Sequence, residues 1–463
     1  MDKAALDAAY QAAVRYLDAV QQRPVGARLD AGSLRARLGG PLPEEGEPAA
    51  QVVERLAREA DPGIVATAGP RFFGFVIGGS LPAALGADWL TSAWDQNAGL
   101  FVLSPAASVV EETVLEWLTG IFGLPAGTGM GFVTGGQMAN TTCLAAARQS
   151  VLARAGWDVA ARGLIGAPPI SVLAGDEAHI TVYGALRLLG LGDASVTKIP
   201  TDGQGRMQPD ALRDALRSRR GMPLIVCAQA GNVNTGSFDP LPEITRLARE
   251  QGAWVHVDGA FGLWAAAAPS TRNLMAGAEN ADSWATDAHK WLNVPYDGGL
   301  AFVRDTAVHR AAMARTASYL QPTEAHRDNY EWTPEFSRRA RGFTVYAALR
   351  SLGRAGLAAL VERCCAHARL FAEILSAAPG VRVVNEVVLN QVLVRFDPPS
   401  GSPEEGDTWT REVIARVQRE GTCWLSGTAW RGRALMRISV CNWSTTADDV
   451  RRSCAAILAA HGC

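Results

Sequence analysis

Lys290 is one of three lysines, with Lys3 and Lys198, in a chain of 44 basic residues that otherwise uses arginine. Arginine replaces lysine as a charge, but only an amine can lose its proton when desolvated and condense with an aldehyde. A lysine kept at Trp284-Ala-Thr-Asp-Ala-His289-Lys290-Trp291 is therefore a candidate nucleophile, although a lone lysine is also compatible with a solvated surface charge. Asp258 ends the apolar run Trp254-Val-His-Val-Asp258. Alternate side chains of a strand share a face, so Trp254, His256 and Asp258 point one way and Val255 and Val257 the other. A carboxylate placed there can meet a ligand or cap a turn. Thr134-Gly135-Gly136-Gln137 follows an apolar run and opens a helical one. Paired glycines admit a close ligand, and unpaired N–H groups at a helix start favour phosphate. Neither the GK[ST] nor the GxGxxG pattern is present, which disfavours a nucleotide. His179 follows a further apolar run, as a satisfied structural histidine or as an imidazole able to stack on a planar ring. Asn232 and Asn234, after yet another, supply short amides.

Each of these residues comes just after a short apolar run, so the elements that carry them decide what they can do together. Between residues 105 and 305 the spacing predicts strands at 131–134, 170–173, 196–199, 224–228, 254–258, 283–286 and 299–304. Helices are expected between them at 138–155, 182–189, 209–217 and 241–251. This alternation predicts an α/β fold with a mainly parallel seven-stranded sheet covered by helices. Open sheets of this kind bind ligands at the carboxyl ends of their strands, where all the candidates lie. An N-terminal helical segment is expected over 1–66, a large domain over 67–342 and a small C-terminal α+β domain over 343–463. A chain of 463 residues is long enough for more than one core. With 19% charged residues and a net charge of −2 there is no basic footprint for nucleic acid. No signal-peptide pattern and no long apolar run appears, so a cytoplasmic protein without a membrane partner is expected. The 8 cysteines lack metal-ligand spacing and read as reduced thiols, with no metal site.

A phosphate cup, an imidazole, a carboxylate and an amine fit a phosphorylated aromatic aldehyde whose ring nitrogen wants an anion, which is pyridoxal 5'-phosphate. On His256-Val-Asp258-Gly-Ala260, Asp287-Ala-His289-Lys290-Trp291 and Pro70-Arg-Phe72-Phe73-Gly74, the chain over residues 60–445 resembles the pyridoxal-phosphate-dependent group II decarboxylases. This is the family of aromatic amino acid, glutamate and histidine decarboxylases. The resemblance implies the aspartate aminotransferase-like fold type I and release of carbon dioxide and an amine from a small-molecule amino acid. It implies Lys290 as the Schiff-base lysine, Asp258 on the ring nitrogen, His179 stacked on the ring, and Gly136, Gln137 and His289 around the phosphate. Ala260 would pack against the ring, and Asn232 stands where the family has a Thr or Ser. Tyr330, or Tyr319 as a second candidate, would supply a proton from a lid. A homodimer with the active site at its interface is implied, wrapped by the N-terminal helices. An aldehyde synthase, a transaminase or a carbon–carbon or carbon–sulfur lyase on the same cofactor remains open, as does a non-catalytic scaffold. Phe72, Phe73, Phe75 and the segment 94–101 resemble pocket-lining parts, although core packing explains these aromatics equally well, and an aromatic or bulky apolar substrate is expected over an acidic one.

Overall fold

The computed structural model describes residues 3–315, 326–398 and 405–462. Seven strands form one sheet: β1 (Gly129–Val133), β2 (Ser171–Gly175), β3 (Val196–Ile199), β4 (Leu224–Gln229), β5 (Trp254–Asp258), β6 (Ser283–Asp287) and β7 (Gly299–Val303). Their order is β1-β7-β6-β5-β4-β2-β3. β7 runs antiparallel to both neighbours, and the pairs from β6 through β3 are parallel. Every residue of β1, β2, β4, β5, β6 and β7 is buried, as a sheet with both faces covered requires. The helix Gly136–Arg154 packs on β5, β6 and β7 through a face that includes Ala139, Asn140, Cys143, Ala147 and Val151.

By contact, the chain divides into two compact units. One comprises Ser80–Ala368 and Asn385–Gln391 and holds the large sheet with Gly136, Gln137, His179, Asn232, Asp258, Ala260, His289, Lys290 and Tyr330. The other comprises Met1–Gly79, Arg369–Val384 and Val392–Cys463. This differs from the linear division into 1–66, 67–342 and 343–463: the N-terminal stretch shares a unit with the C-terminal region. The physical reason lies in the motif Pro70–Gly74. Phe73 N–H donates to Trp424 O at 2.7 Å, Trp424 N–H to Arg71 O at 3.0 Å and Ser439 N–H to Phe73 O at 2.9 Å. Phe72 stacks on Trp424 at 5.0 Å, and a Cβ at Gly74 would strike the same indole. Phe72 and Phe73 are core residues of this unit, whereas Phe75 is exposed. The unit's four-stranded sheet has the order β10-β11-β9-β8, from β8 (Val381–Val383), β9 (Gln391–Phe396), β10 (Ser426–Trp430) and β11 (Arg433–Ser439). No described helix is long and apolar enough to cross a membrane. The seven described cysteines are all buried free thiols.

Candidate active site

Asp287, the last residue of β6, pairs with Gly299, the first of β7, so residues 288–298 form a tight connection that carries His289 and Lys290. Lys290 Nζ lies 2.9 Å from Asp287 Oδ2, and His289 Nε2 is 3.3 Å from Asp287 Oδ1 without a hydrogen bond to it. Gly298 N–H donates to His289 Nδ1 at 3.1 Å, and the His289 ring stacks on Tyr296 with centroids 4.3 Å apart. Burial holds the His289 imidazole below its usual pKa against the opposing pull of Asp287. With Nδ1 accepting, the proton of neutral His289 is on Nε2. The Gly135-Gly136 turn closes over this group. A Cβ at Gly136 would come within 2.8 Å of Asp287 Oδ2, and one at Gly135 within 3.1 Å of His289 Cε1. Gly135 provides no side-chain cap to the helix Gly136–Arg154, so the N–H groups of its first turn open beside Asp287, His289 and Lys290.

Asp258 ends β5 in a different setting. Its Oδ2 accepts from Asn140 Nδ2 at 3.1 Å and its Oδ1 from Ala260 N–H at 3.1 Å, so its donors are neutral groups. Ala260 O in turn accepts from Asp287 N–H at 2.9 Å, which ties the Asp258 turn to the end of β6. Asn140 Oδ1 is 2.9 Å from His256 Nε2, His256 Nδ1 is 3.0 Å from Ser283 Oγ, and Trp254 Nε1–H donates to that hydroxyl at 2.9 Å. Asn140, His256 and Ser283 are fully buried. Burial pushes the His256 imidazole down to about 4 even though Asp258 pulls the other way. Asn140 Nδ2 also lies 3.2 Å from Thr181 Oγ1, which is 2.8 Å from His179 Nδ1. His179 caps the helix Ile180–Leu188 and lines one small cavity with Asp258.

Two candidates sit in settings that the sequence did not predict. Asn232, expected beside the cofactor, has both ends committed locally: Oδ1 accepts from Asn234 and Thr235 N–H, and Nδ2 donates to Glu177 Oε2 at 3.1 Å. Tyr330, expected on an open lid, is buried on a short 3₁₀ turn, with its ring 5.0 Å from Phe336 and its N–H donating to Gly99 O at 2.9 Å. The segment that carries it is anchored to 94–101 and to the helix Pro105–Phe122. Ala98 N–H donates to Arg338 O, Phe101 N–H to Asp328 Oδ1, and Arg338 forms a buried ion pair with Glu111 at 2.7 Å. A charge pair this deep is destabilising to break, and it holds the backbone still. Tyr319 lies outside the described residues.

The profile of the pyridoxal-dependent decarboxylase conserved domain matches residues 32–397. The chain belongs to the pyridoxal-dependent decarboxylase family. Among its relatives, an L-2,4-diaminobutyrate decarboxylase of Rhizobium meliloti is 31% identical over 89% of this chain and 82% of its own length. A 4-hydroxyphenylacetaldehyde synthase of Rhodiola rosea is 27% identical over 89% of this chain and 85% of its own. The crystal structure of Oryza sativa TDC with PLP and tryptamine matches with a TM-score of 0.92 at 26% identity, covering 99% of this chain and 97% of that one. The fold is fold type I, and the chain is a pyridoxal-phosphate-dependent carboxy-lyase of this family. The residues present fit the cofactor. A buried carboxylate held by neutral donors suits a cationic ring nitrogen, an uncapped glycine-started helix suits a phosphate, and the amine of Lys290 lies within reach of that same turn.

Sequence reasoning named candidates at the strand ends but not the residues that hold them. Asn140, Thr181 and Ser283 were missed. The signal for Asn140 was its place one helical turn after Gly136, and that for His256 its shared strand face with Asp258. Asp287 stood in the motif without a role.

Proposed function

We propose that this enzyme decarboxylates an L-amino acid with an aromatic or bulky apolar side chain, releasing carbon dioxide and the corresponding amine. The observation that carries the reading is the pairing of Asp258, held by neutral donors, with Lys290, an amine at the end of the adjacent strand. Bound pyridoxal phosphate supplies an electron sink for the bond broken at Cα. Lys290 is the residue that holds the cofactor covalently and gives way to substrate. Asp258, as a buried anion, keeps the ring nitrogen protonated. His179 stacks on the ring and orients substrate, and Ala260 packs against the ring. Gly136 and Gln137 offer N–H groups to the phosphate, with neutral His289 donating from Nε2 on the other side. Asn232 acts at one remove by holding Glu177 in the turn that ends at His179. Tyr330 is the proton donor to Cα, set in place by the ion-paired segment around it. The aromatic preference is supported by likeness to a structure solved with tryptamine.

The 31% relative supports a second reading, a diamino acid substrate. The 27% relative keeps aldehyde formation as a competing outcome. Incubation of the holoenzyme with a panel of amino acids, followed by mass spectrometry, separates these. One amine and one carbon dioxide per substrate is the expected result. Ammonia with an aldehyde or a keto acid overturns decarboxylation, and turnover of diaminobutyrate alone overturns the aromatic preference. A purified protein that never acquires the cofactor's absorbance revives the scaffold reading. The proposed homodimer is supported by the exposed apolar residues Leu6, Tyr10, Leu17, Val52 and Leu56 on the helices Ala4–Ala19 and Ala49–Ala60. Light scattering that returns the mass of a single chain excludes it.

A further inference from the structure

We infer that Asn140 is a positioning residue whose single amide fixes the Asp258 carboxylate and, through Thr181, holds His179 as its Nε2–H tautomer. An ionised carboxylate only accepts, so the amide group facing Asp258 Oδ2 at 3.1 Å is the NH₂, and Oδ1 faces His256 Nε2 at 2.9 Å. Asn140 Oδ1 only accepts, so His256 carries its proton on Nε2 and accepts on Nδ1. Ser283 Oγ–H must then donate to His256 Nδ1 at 3.0 Å, leaving the Ser283 oxygen to accept from Trp254 Nε1–H, a group that can only donate. The relay thus has one direction, starting at the indole. Beyond Asn140, the second NH₂ hydrogen goes to Thr181 Oγ1 at 3.2 Å, and that oxygen lies 2.8 Å from His179 Nδ1. Thr181 N–H points at the same nitrogen at 3.4 Å. That N–H can only donate, so Nδ1 accepts, the Thr181 hydroxyl proton turns toward it as well, and Nε2 carries the proton.

The links from Trp254 through Asn140 to Asp258 lie in the buried interior of one unit, where an unpaired polar group is costly, and Thr181 and His179 are half-buried at its outer end. Protonation of His179 at Nδ1 would set that proton against Thr181 N–H, a group that can only donate. The titratable groups that share the cavity with His179 are Asp258 from β5, Cys227 from β4, Asp239 after β4, and Glu177 in its own turn. Their charges act on His179 in all variants alike, so differences between variants report the relay.

The inference rests on the proposed cofactor role of Asp258, and two readouts keep the two ideas apart. Nitrogen-15 NMR of histidine-labelled holoenzyme, with His179 assigned by substitution, reads the tautomer directly. The wild type is expected to show His179 with Nε2 protonated. Thr181→Val removes the hydroxyl and keeps its shape. It is expected to yield a mixed tautomer and a higher titration midpoint of His179, with the cofactor's absorbance–pH profile unchanged. Asn140→Ala is expected to do the same to His179. It should also move the profile's midpoint up by about one pH unit, the worth of one hydrogen bond to a charged acceptor. A wild-type His179 protonated on Nδ1, or a tautomer unmoved in both variants, overturns the relay. Equal shifts of the absorbance profile in the two variants overturn the division of the amide between Asp258 and Thr181. Should Asn140→Ala fail to fold, Thr181→Val alone decides the tautomer. A Lys290→Ala protein that keeps the aldehyde-linked absorbance removes the cofactor reading and leaves the tautomer assignment standing.

Discussion

The ends of β5 and β6 lie side by side, yet they treat charge in opposite ways. At β5, Asp258 is surrounded by neutral donors and backed by three fully buried polar side chains with satisfied bonds. At β6, Asp287 shares a pocket with an ammonium, an imidazole and a helix N-terminus, and keeps one buried oxygen without a hydrogen bond. A network with every bond made resists change, whereas a carboxylate with an open valence and a movable cation can exchange partners. Under the proposed roles, the first end would hold a ring still and the second would let a covalent bond form and break.

Substitutions at the two ends should separate these roles. Lys290→Ala is expected to abolish both the aldehyde-linked absorbance and turnover, read by spectrophotometry and product formation. Asp258→Asn keeps the shape and removes the charge. It should lower kcat by about 10³-fold, equivalent to about 4 kcal/mol, while the folded protein still binds cofactor; a loss under tenfold would refute the anion's role. For His256, the unfolded chain takes up a proton near 6.5 and the folded chain only near about 4. Stability therefore falls as pH drops through that window, by up to about 3 kcal/mol. Asp239, which burial pushes up to about 6, acts in the opposite sense over the lower part of the window. The comparison that isolates His256 is His256→Gln against wild type in urea unfolding at pH 7 and 4.5, where the variant's loss should be the smaller. Asp287→Asn leaves Lys290 without its anion and is expected to destabilise the cofactor-free protein by about 2 kcal/mol. No change in the urea midpoint would show that the pair contributes nothing.

The strand starts and ends of the large sheet were legible because each strand is a short apolar run followed by a turn. Asp258 and Lys290 were legible because chemistry at strand ends restricts residue type. β10 (Ser426–Trp430) was not, since Ser-Gly-Thr-Ala-Trp offers little alternation, and the helices Pro82–Trp94 and Pro105–Phe122 were not separated from the pattern around them. The burial of Tyr330 was not legible for an identifiable reason: polar residues in the run 326–341 resemble a solvated loop, yet Arg338 pairs with Glu111 from a helix far away in sequence. The relay through Asn140 was hidden in the same way, because its partners come from a helix and two strands that no local pattern connects.

The antiparallel turn of β7 brings one further consequence. In the parallel part of the sheet each strand reaches its neighbour through a long crossover, which tolerates insertions. The loop that carries Lys290 is instead clamped at both ends by paired strands, and a Cβ at Gly299 would lie 2.6 Å from the backbone of Gly135. The Lys290 amine therefore sits on a tether whose length the sheet fixes, whereas insertions are admitted by the crossovers that can lengthen without moving it.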